Sequence, residues 1–85
     1  MTKEQRARLR WRARRGLVEN DLFLQRFFKI HEESLTEQDE IGLDALFDLP
    51  DNDLLDLFLQ RTQPSEALKA LHVEAVLLKI TTSPQ

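Results

Sequence analysis

The sequence predicts an all-α protein, a compact five-helix bundle with short connections. Three observations support this prediction. Apolar residues recur at spacings of three and four along most of the chain, no long stretch alternates at a period of two, and β-branched residues are few. Only two glycines and three prolines in 85 residues leave little room for loops. We therefore expect a single helical domain that spans residues 1–85.

Helix-start and helix-stop signals define the first two helices. Thr2 and Gln5 stand in capping-box positions and begin a basic N-terminal helix, residues 2–15, which Gly16 can end in the left-handed conformation. This helix is poor in apolar residues, and its Trp11 has two interpretations that can both hold for its two edges: packing on the second helix, or partial exposure as an interface residue. The second helix begins at Leu17 or Glu19 and runs to Glu33. Its apolar surface is wider than one stripe, so we expect it to be the central helix of the bundle. The apolar residues are Leu22, Phe23, Leu24, Phe27, Phe28 and Ile30.

The third and fourth helices are separated by a proline. Thr36, with Asp39 three residues later, begins the third helix, which stops before Pro50 because a residue preceding proline avoids the helical region. Asp51 or Asn52 is then expected to cap the fourth helix. Their expected buried residues are Ile41, Leu43, Leu46, Phe47 and Leu49 in the third helix and Leu54, Leu55, Leu57, Phe58 and Leu59 in the fourth.

The fifth helix follows Pro64 and Ser65 and is expected to run from Glu66 to about Thr81. Its predicted core face consists of Leu68, Leu71, Ala75 and Leu78, with Val76 and Ile80 beside it. The core bundle thus covers residues 17–81, and residues 82–85 are expected to be a frayed tail.

The composition excludes several classes of function. Without cysteine there can be no disulfide, thiolate metal site or cysteine nucleophile, and two histidines with no tyrosine leave few acid–base groups. His31 and His72 lie about 40 residues apart with no further ligands at helical spacing, so we expect no metal site. We expect no catalytic residue. No apolar run reaches the roughly 20 residues of a membrane span and no signal peptide is visible, which predicts a cytoplasmic protein without membrane insertion.

The charge is divided between the first 15 residues and the rest of the chain. Residues 1–15 hold seven basic residues and one acidic residue, a formal charge of +6, whereas residues 16–85 carry −9. Arginines at positions 6, 8, 10, 12 and 14 resemble a nucleic-acid contact element. Alternate residues of a helix, however, lie about 200° apart, so these arginines occupy two sides of the helix. We expect the basic helix to lean on the acidic middle of its own chain, with nucleic-acid binding kept as an alternative.

The segment Arg14-Arg15-Gly16-Leu17-Val18-Glu19 is a candidate binding site. Gly16 permits a tight reversal between the first two helices, which places Arg15 at the end of one and Glu19 in the first turn of the next. Both charges suit the local helix dipoles, so a structural role alone accounts for them. A guanidinium and a carboxylate side by side next to Trp11 would also form a docking surface for another polypeptide.

A longer pattern extends this segment and resembles the small succinate dehydrogenase assembly factors, also called flavinylation factors. The matching residues are Trp11, Arg14-Arg15-Gly16-x-x-Glu19, Phe27-Phe28, Leu35-Thr36 and Leu46-x-Asp48-x-Pro50-Asp51-x-Asp53-Leu54. The resemblance covers roughly residues 6–80, and proteins of this family are five-helix bundles.

The resemblance implies an accessory protein that binds the flavoprotein subunit of succinate dehydrogenase, and that of fumarate reductase, and promotes covalent attachment of FAD to a histidine of that subunit. By motif match, binding depends on Arg15, Gly16 and Glu19, with Arg14 and Trp11 as further members of the surface. FAD is then carried by the partner, and this chain, with no glycine-rich phosphate loop, is expected to bind no cofactor tightly and to be a monomer when free. An antitoxin-like regulatory role, described for some family members, stays open alongside nucleic-acid binding.

Overall fold

The computed structural model describes residues 2–14 and 17–83, and this part of the chain is helical without any strand. A short 3₁₀ turn, Glu32–Ser34, follows the second of six α-helices. The helices are α1 (Lys3–Arg12), α2 (Val18–His31), α3 (Glu37–Phe47), α4 (Asp51–Phe58), α5 (Glu66–Lys69) and α6 (Val73–Thr82). The all-α prediction is confirmed, whereas the predicted number of five helices is wrong.

Two of the predicted helix starts are confirmed as capping boxes. Thr2 Oγ1 accepts a hydrogen bond from the backbone N–H of Gln5, and Gln5 Oε1 accepts one from the backbone N–H of Thr2. Thr36 and Asp39 form the same pair of bonds at the start of α3. The prediction for α4 is wrong: Pro50 occupies the N-cap position, and no side chain caps the helix there.

The core lies between α2, α3, α4 and α6, with α3 packed closely on α6. Gly42 permits this approach, because a Cβ atom at that position would lie 2.8 Å from Val76 Cγ1 and 2.9 Å from the backbone oxygen of His72. Side chains that are almost completely excluded from solvent come from all four helices: Leu24, Phe27, Leu43, Leu46, Leu54, Val73, Val76 and Ile80.

The predicted fifth helix is in fact two helices, α5 and α6. The chain breaks between them at His72, which adopts a left-handed conformation with φ of 63°. The break rotates the following residues, so that Val73, Val76 and Ile80 enter the core, while Leu71 and Leu78 of the predicted core face are exposed. The prediction of that face is therefore wrong, because it assumed one continuous helix through His72.

Helix α1 packs mainly on α3 and contributes little to the core. Leu9 is completely buried and Ala13, at the C-cap, nearly so, whereas most other α1 side chains face solvent. The helix ends at Arg12, earlier than the glycine signal predicts. The predicted reversal at Gly16 falls outside the described residues.

Candidate functional site

A groove of about 950 Å³ runs between α1 and α2. Its floor is apolar and includes the buried side chains of Ala13, Leu24 and Phe28. Charged and polar side chains line its rims. The remaining lining residues are Ala7, Arg10, Trp11 and Arg14 before the turn and Asp21, Gln25, Lys29 and Glu32 after it.

Trp11 stands at the edge of this groove with 73% of its surface exposed. This exposure favours the interpretation of Trp11 as an interface residue over that of a shield for the core packed on the second helix. Leu9 takes the inward position of α1, and a residue two places further along a helix points about 200° away. An exposed tryptophan beside arginines is typical of residues that contribute strongly to protein interfaces.

The arginines of α1 lie on two sides of the helix, as predicted, and one side faces the acidic row of α3. Arg12 Nη1 lies 2.7 Å from Asp44 Oδ1, and Arg12 Nη2 lies 2.6 Å from Asp48 Oδ1. Arg8 Nη2 donates to Glu40 Oε2 at 2.8 Å. The basic helix is therefore bound by ion pairs to the acidic middle of the chain, as predicted. These contacts fix the orientation of α1 and so determine the direction in which its opposite side faces.

The carboxylate at the centre of this contact is strongly affected by its neighbours. Burial raises the pKa of Asp44, but the hydrogen bonds from Arg8 and Arg12 outweigh burial, and the pKa lies below its ordinary value. The hydrogen bond to Asp48 is the main cause that raises the pKa of Arg12. Asp44 and Arg12 are therefore both charged at neutral pH.

Arg10, on the other side of α1, and Arg14, just after the end of the helix, both line the groove. Arg10 Nε lies 2.7 Å from Glu32 Oε1 in an ion pair that is not a well-aligned hydrogen bond. Arg14 is exposed, as is Lys29 on the opposite rim, and neither cation has a carboxylate partner among the residues the structure describes. The groove therefore presents two unneutralised positive charges.

The first turn of α2 holds Glu19 at the surface and Asn20 in the interior. Asn20 is completely buried, and its Nδ2 donates to the backbone oxygen of Asp51 at 2.9 Å, which ties α2 to the start of α4. The Oδ1 atom of Asn20 is buried without a hydrogen-bond donor from residues 2–14 or 17–83. The sequence analysis did not identify Asn20 as the residue that positions the first turn of α2. An asparagine between two acidic residues at a helix start gives no sign that its side chain is buried.

The predicted site residues are thus only partly visible. Trp11 and Arg14 line the same groove, and Glu19 is exposed two residues before the groove residue Asp21. Arg15 and Gly16, the other two predicted members, lie outside the described residues.

In the described ranges, no group of three or more histidine, aspartate or glutamate side chains is arranged to hold a metal ion. None of the helices from Lys3 to Thr82 combines the length and the apolar character that a membrane crossing requires.

Comparison with known proteins identifies the family. The family described as "Flavinator of succinate dehydrogenase" matches residues 7–81, which include Trp11, Arg14 and Glu19. The chain belongs to this family. No solved structure matches the chain significantly.

Curated relatives of the family include three bacterial proteins named FAD assembly factor SdhE. The protein of Ralstonia nicotianae is 56% identical over 72 residues, which cover 85% of this chain and 76% of the relative. That of Coxiella burnetii is 35% identical over 60 residues, 71% of this chain and 73% of the relative. That of Vibrio cholerae is 42% identical over 53 residues, 62% of each chain.

Proposed function

We propose that this chain is an accessory factor that binds the flavoprotein subunit of succinate dehydrogenase and promotes covalent attachment of FAD to it. The family match over residues 7–81 carries this proposal, and the name FAD assembly factor of the relatives agrees with it. The exposed Trp11, Arg14 and Glu19, on either side of residues 15–16, supply the chemistry of a binding surface.

The bond-forming chemistry belongs to the partner and its flavin in this proposal. The chain has no cysteine or tyrosine, and its two histidines, His31 and His72, stand on different elements. We assign it a positioning role: it favours the arrangement of the flavoprotein in which the flavin and its acceptor side chain are held in reacting geometry.

The interface we propose consists of Trp11, Arg14, Arg15, Gly16 and Glu19. We extend the partners to the flavoprotein subunit of fumarate reductase and place the encounter in the cytoplasm, with the chain as a monomer. Nucleic-acid binding is the less favoured function, because Arg8 and Arg12 are engaged by carboxylates that would also repel phosphates.

The experiment is complementation of a host that lacks this protein. Cells carry the wild-type chain, Arg15→Ala, Glu19→Ala or Glu19→Gln; the flavoprotein is captured on the tagged chain, denatured, and its covalent flavin fluorescence recorded. We expect the Arg15 and Glu19 variants to lose capture and most covalent flavin while keeping the helical circular-dichroism spectrum.

The matched control is Glu33→Ala, since Glu33 is also an exposed glutamate but lies in the 3₁₀ turn beyond the other end of α2. It should capture and flavinylate as the wild type does. Undiminished covalent flavin in the Arg15 and Glu19 variants would contradict the proposed interface, and undiminished flavin without any copy of the chain would contradict the function.

A further inference from the structure

The groove between α1 and α2 extends well beyond the turn that the family motif marks. Its lining after the motif begins at Asp21 on α2 and ends at Glu32, directly after that helix; eleven helical residues correspond to about 16 Å along the axis. The groove stays open because α1 packs mainly on α3 and thus leaves one side of α2 uncovered. A partner that touched only the motif would leave most of this cleft empty.

The charges along the groove favour an anion. Its carboxylates already have partners: Glu32 faces Arg10 at 2.7 Å, and Asp21 also interacts with another group. Its cations Arg14 and Lys29 have none among the residues described. A positive groove on a chain with a net charge of −3 is a local feature that an acidic partner segment would complement.

The floor of the groove favours an apolar side chain next to that anion. Leu24 and Phe28 retain only 1% and 8% of their exposure and form its base, and Trp11 stands at its rim. An aromatic rim over an apolar base is the arrangement in which a buried anchor residue contributes most of an interface's binding energy. A free phosphate would leave this floor unused.

We propose that the groove binds a segment of the flavoprotein in which an acidic side chain, paired with Lys29 and Arg14, flanks an apolar side chain seated on Leu24 and Phe28 beside Trp11. The proposal rests on the proposed function and deepens it, because it names the second half of the interface and the chemistry of the segment that occupies it.

The decisive variant is Lys29→Glu, since Lys29 is exposed and lies far along α2 from the motif. Affinity for the non-flavinylated flavoprotein subunit is measured by biolayer interferometry at several salt concentrations. We expect Lys29→Glu to weaken binding about tenfold or more at low salt, and Lys29→Gln to weaken it less and to reduce its salt dependence. Arg26→Glu is the matched control, because it is also a charge reversal on α2 but lies outside the groove. We expect it to weaken binding by less than about twofold.

The outcomes separate this inference from the function on which it rests. If the wild type binds the subunit and Lys29→Glu binds equally well, the groove is not the binding site of the partner, and only this inference is overturned. If the wild type does not bind, the proposed function and this inference both fail. A wild-type dimer that Lys29→Glu dissociates, with binding of the flavoprotein unchanged, would assign the groove to a second copy and likewise overturn the inference.

A second measurement identifies the occupant directly. The photoreactive residue benzoylphenylalanine replaces Gln25, an exposed groove residue, or Gln38, an exposed residue of α3, as control. After irradiation with the flavoprotein, mass spectrometry locates the cross-linked segment. We expect a cross-link from position 25 and none from position 38, to a segment with an aspartate or glutamate within a few residues of a large apolar side chain. A segment without an acidic residue would overturn the proposal.

Discussion

Arg8 and Asp44 join α1 to α3 through two parallel contacts, with Nη1 3.0 Å from Oδ1 and Nη2 3.1 Å from Oδ2. Such two-point contacts are the strongest form of the guanidinium–carboxylate interaction. Asp44 also accepts from Arg12, so one carboxylate connects two successive turns of α1 to α3. Since Leu9 and Ala13 are the chief buried apolar groups of α1, this network has a large share in holding the helix in place.

Replacement of Asp44 tests that share. Asp44→Asn should lower the free energy of unfolding by about 1 kcal/mol at low salt, a modest value because the partners are partly exposed and because Glu40 and Asp48 stay available to the arginines. Urea unfolding measures the change, and about 1 M salt should shrink it by screening. Glu33→Gln, which removes an exposed carboxylate elsewhere, is the control; an equal loss in both variants would contradict a special role for Asp44.

The lowered pKa of Asp44 predicts how stability depends on pH. A carboxyl whose pKa is lower in the folded state contributes stability above the unfolded pKa, about 3.9, and this contribution is lost as the pH falls through the lower folded value. Acid should therefore destabilise the wild type more steeply than Asp44→Asn below about pH 4. Urea midpoints measured from pH 7 downward give the comparison; parallel curves would mean that the folded protein does not hold this carboxylate in its charged form.

Local rules of helix geometry predicted much of what positions the site. The capping boxes at Thr2 and Thr36 follow from side chains within three residues of each other, so tertiary contacts are not needed to anticipate them. The division of the arginines over two sides follows from the helical period alone. It separates Arg8 and Arg12, which hold α1 on α3, from Arg10, which lines the groove together with Arg14 just after the helix.

What could not be predicted depends on surfaces brought together from distant parts of the chain. The break at His72 carries no glycine or proline signal, and packing against α3 near Gly42 favours it over a continuous helix. The choice between burial and exposure of Trp11 stayed open in the sequence for the same reason. Helix α1 has one large apolar side chain on each of two opposite faces, Leu9 and Trp11. The neighbouring helices decide which of the two is buried, and here they bury Leu9.

Gln60 offers a stabilising substitution. It follows the end of α4 with φ of 60°, while Gln60 N–H donates to the Leu57 oxygen and Arg61 N–H to the Asp56 oxygen, the bonds of a Schellman motif. Glycine suits this position, so Gln60→Gly should raise the free energy of unfolding by about 0.5–1 kcal/mol, the relieved strain less the added entropy of the unfolded chain. Thermal and urea unfolding measure it, with Gln60→Ala as control; stabilisation by alanine as large as that by glycine would contradict this explanation.

Gly42 should tolerate no side chain, because the atoms that would meet a Cβ cannot all move away. Val76 Cγ1, at 2.8 Å, belongs to a completely buried side chain, and the His72 oxygen, at 2.9 Å, belongs to the backbone at the break before α6. Gly42→Ala should therefore lower the free energy of unfolding by about 1–3 kcal/mol, although alanine is the better helix former by about 1 kcal/mol. Gln38→Ala, an exposed substitution in the same helix, should change it by less than about 0.5 kcal/mol. Urea unfolding of both variants gives the comparison. A Gly42→Ala variant as stable as the wild type would mean that α3 and α6 can move apart without loss, and would contradict the steric role of the close approach.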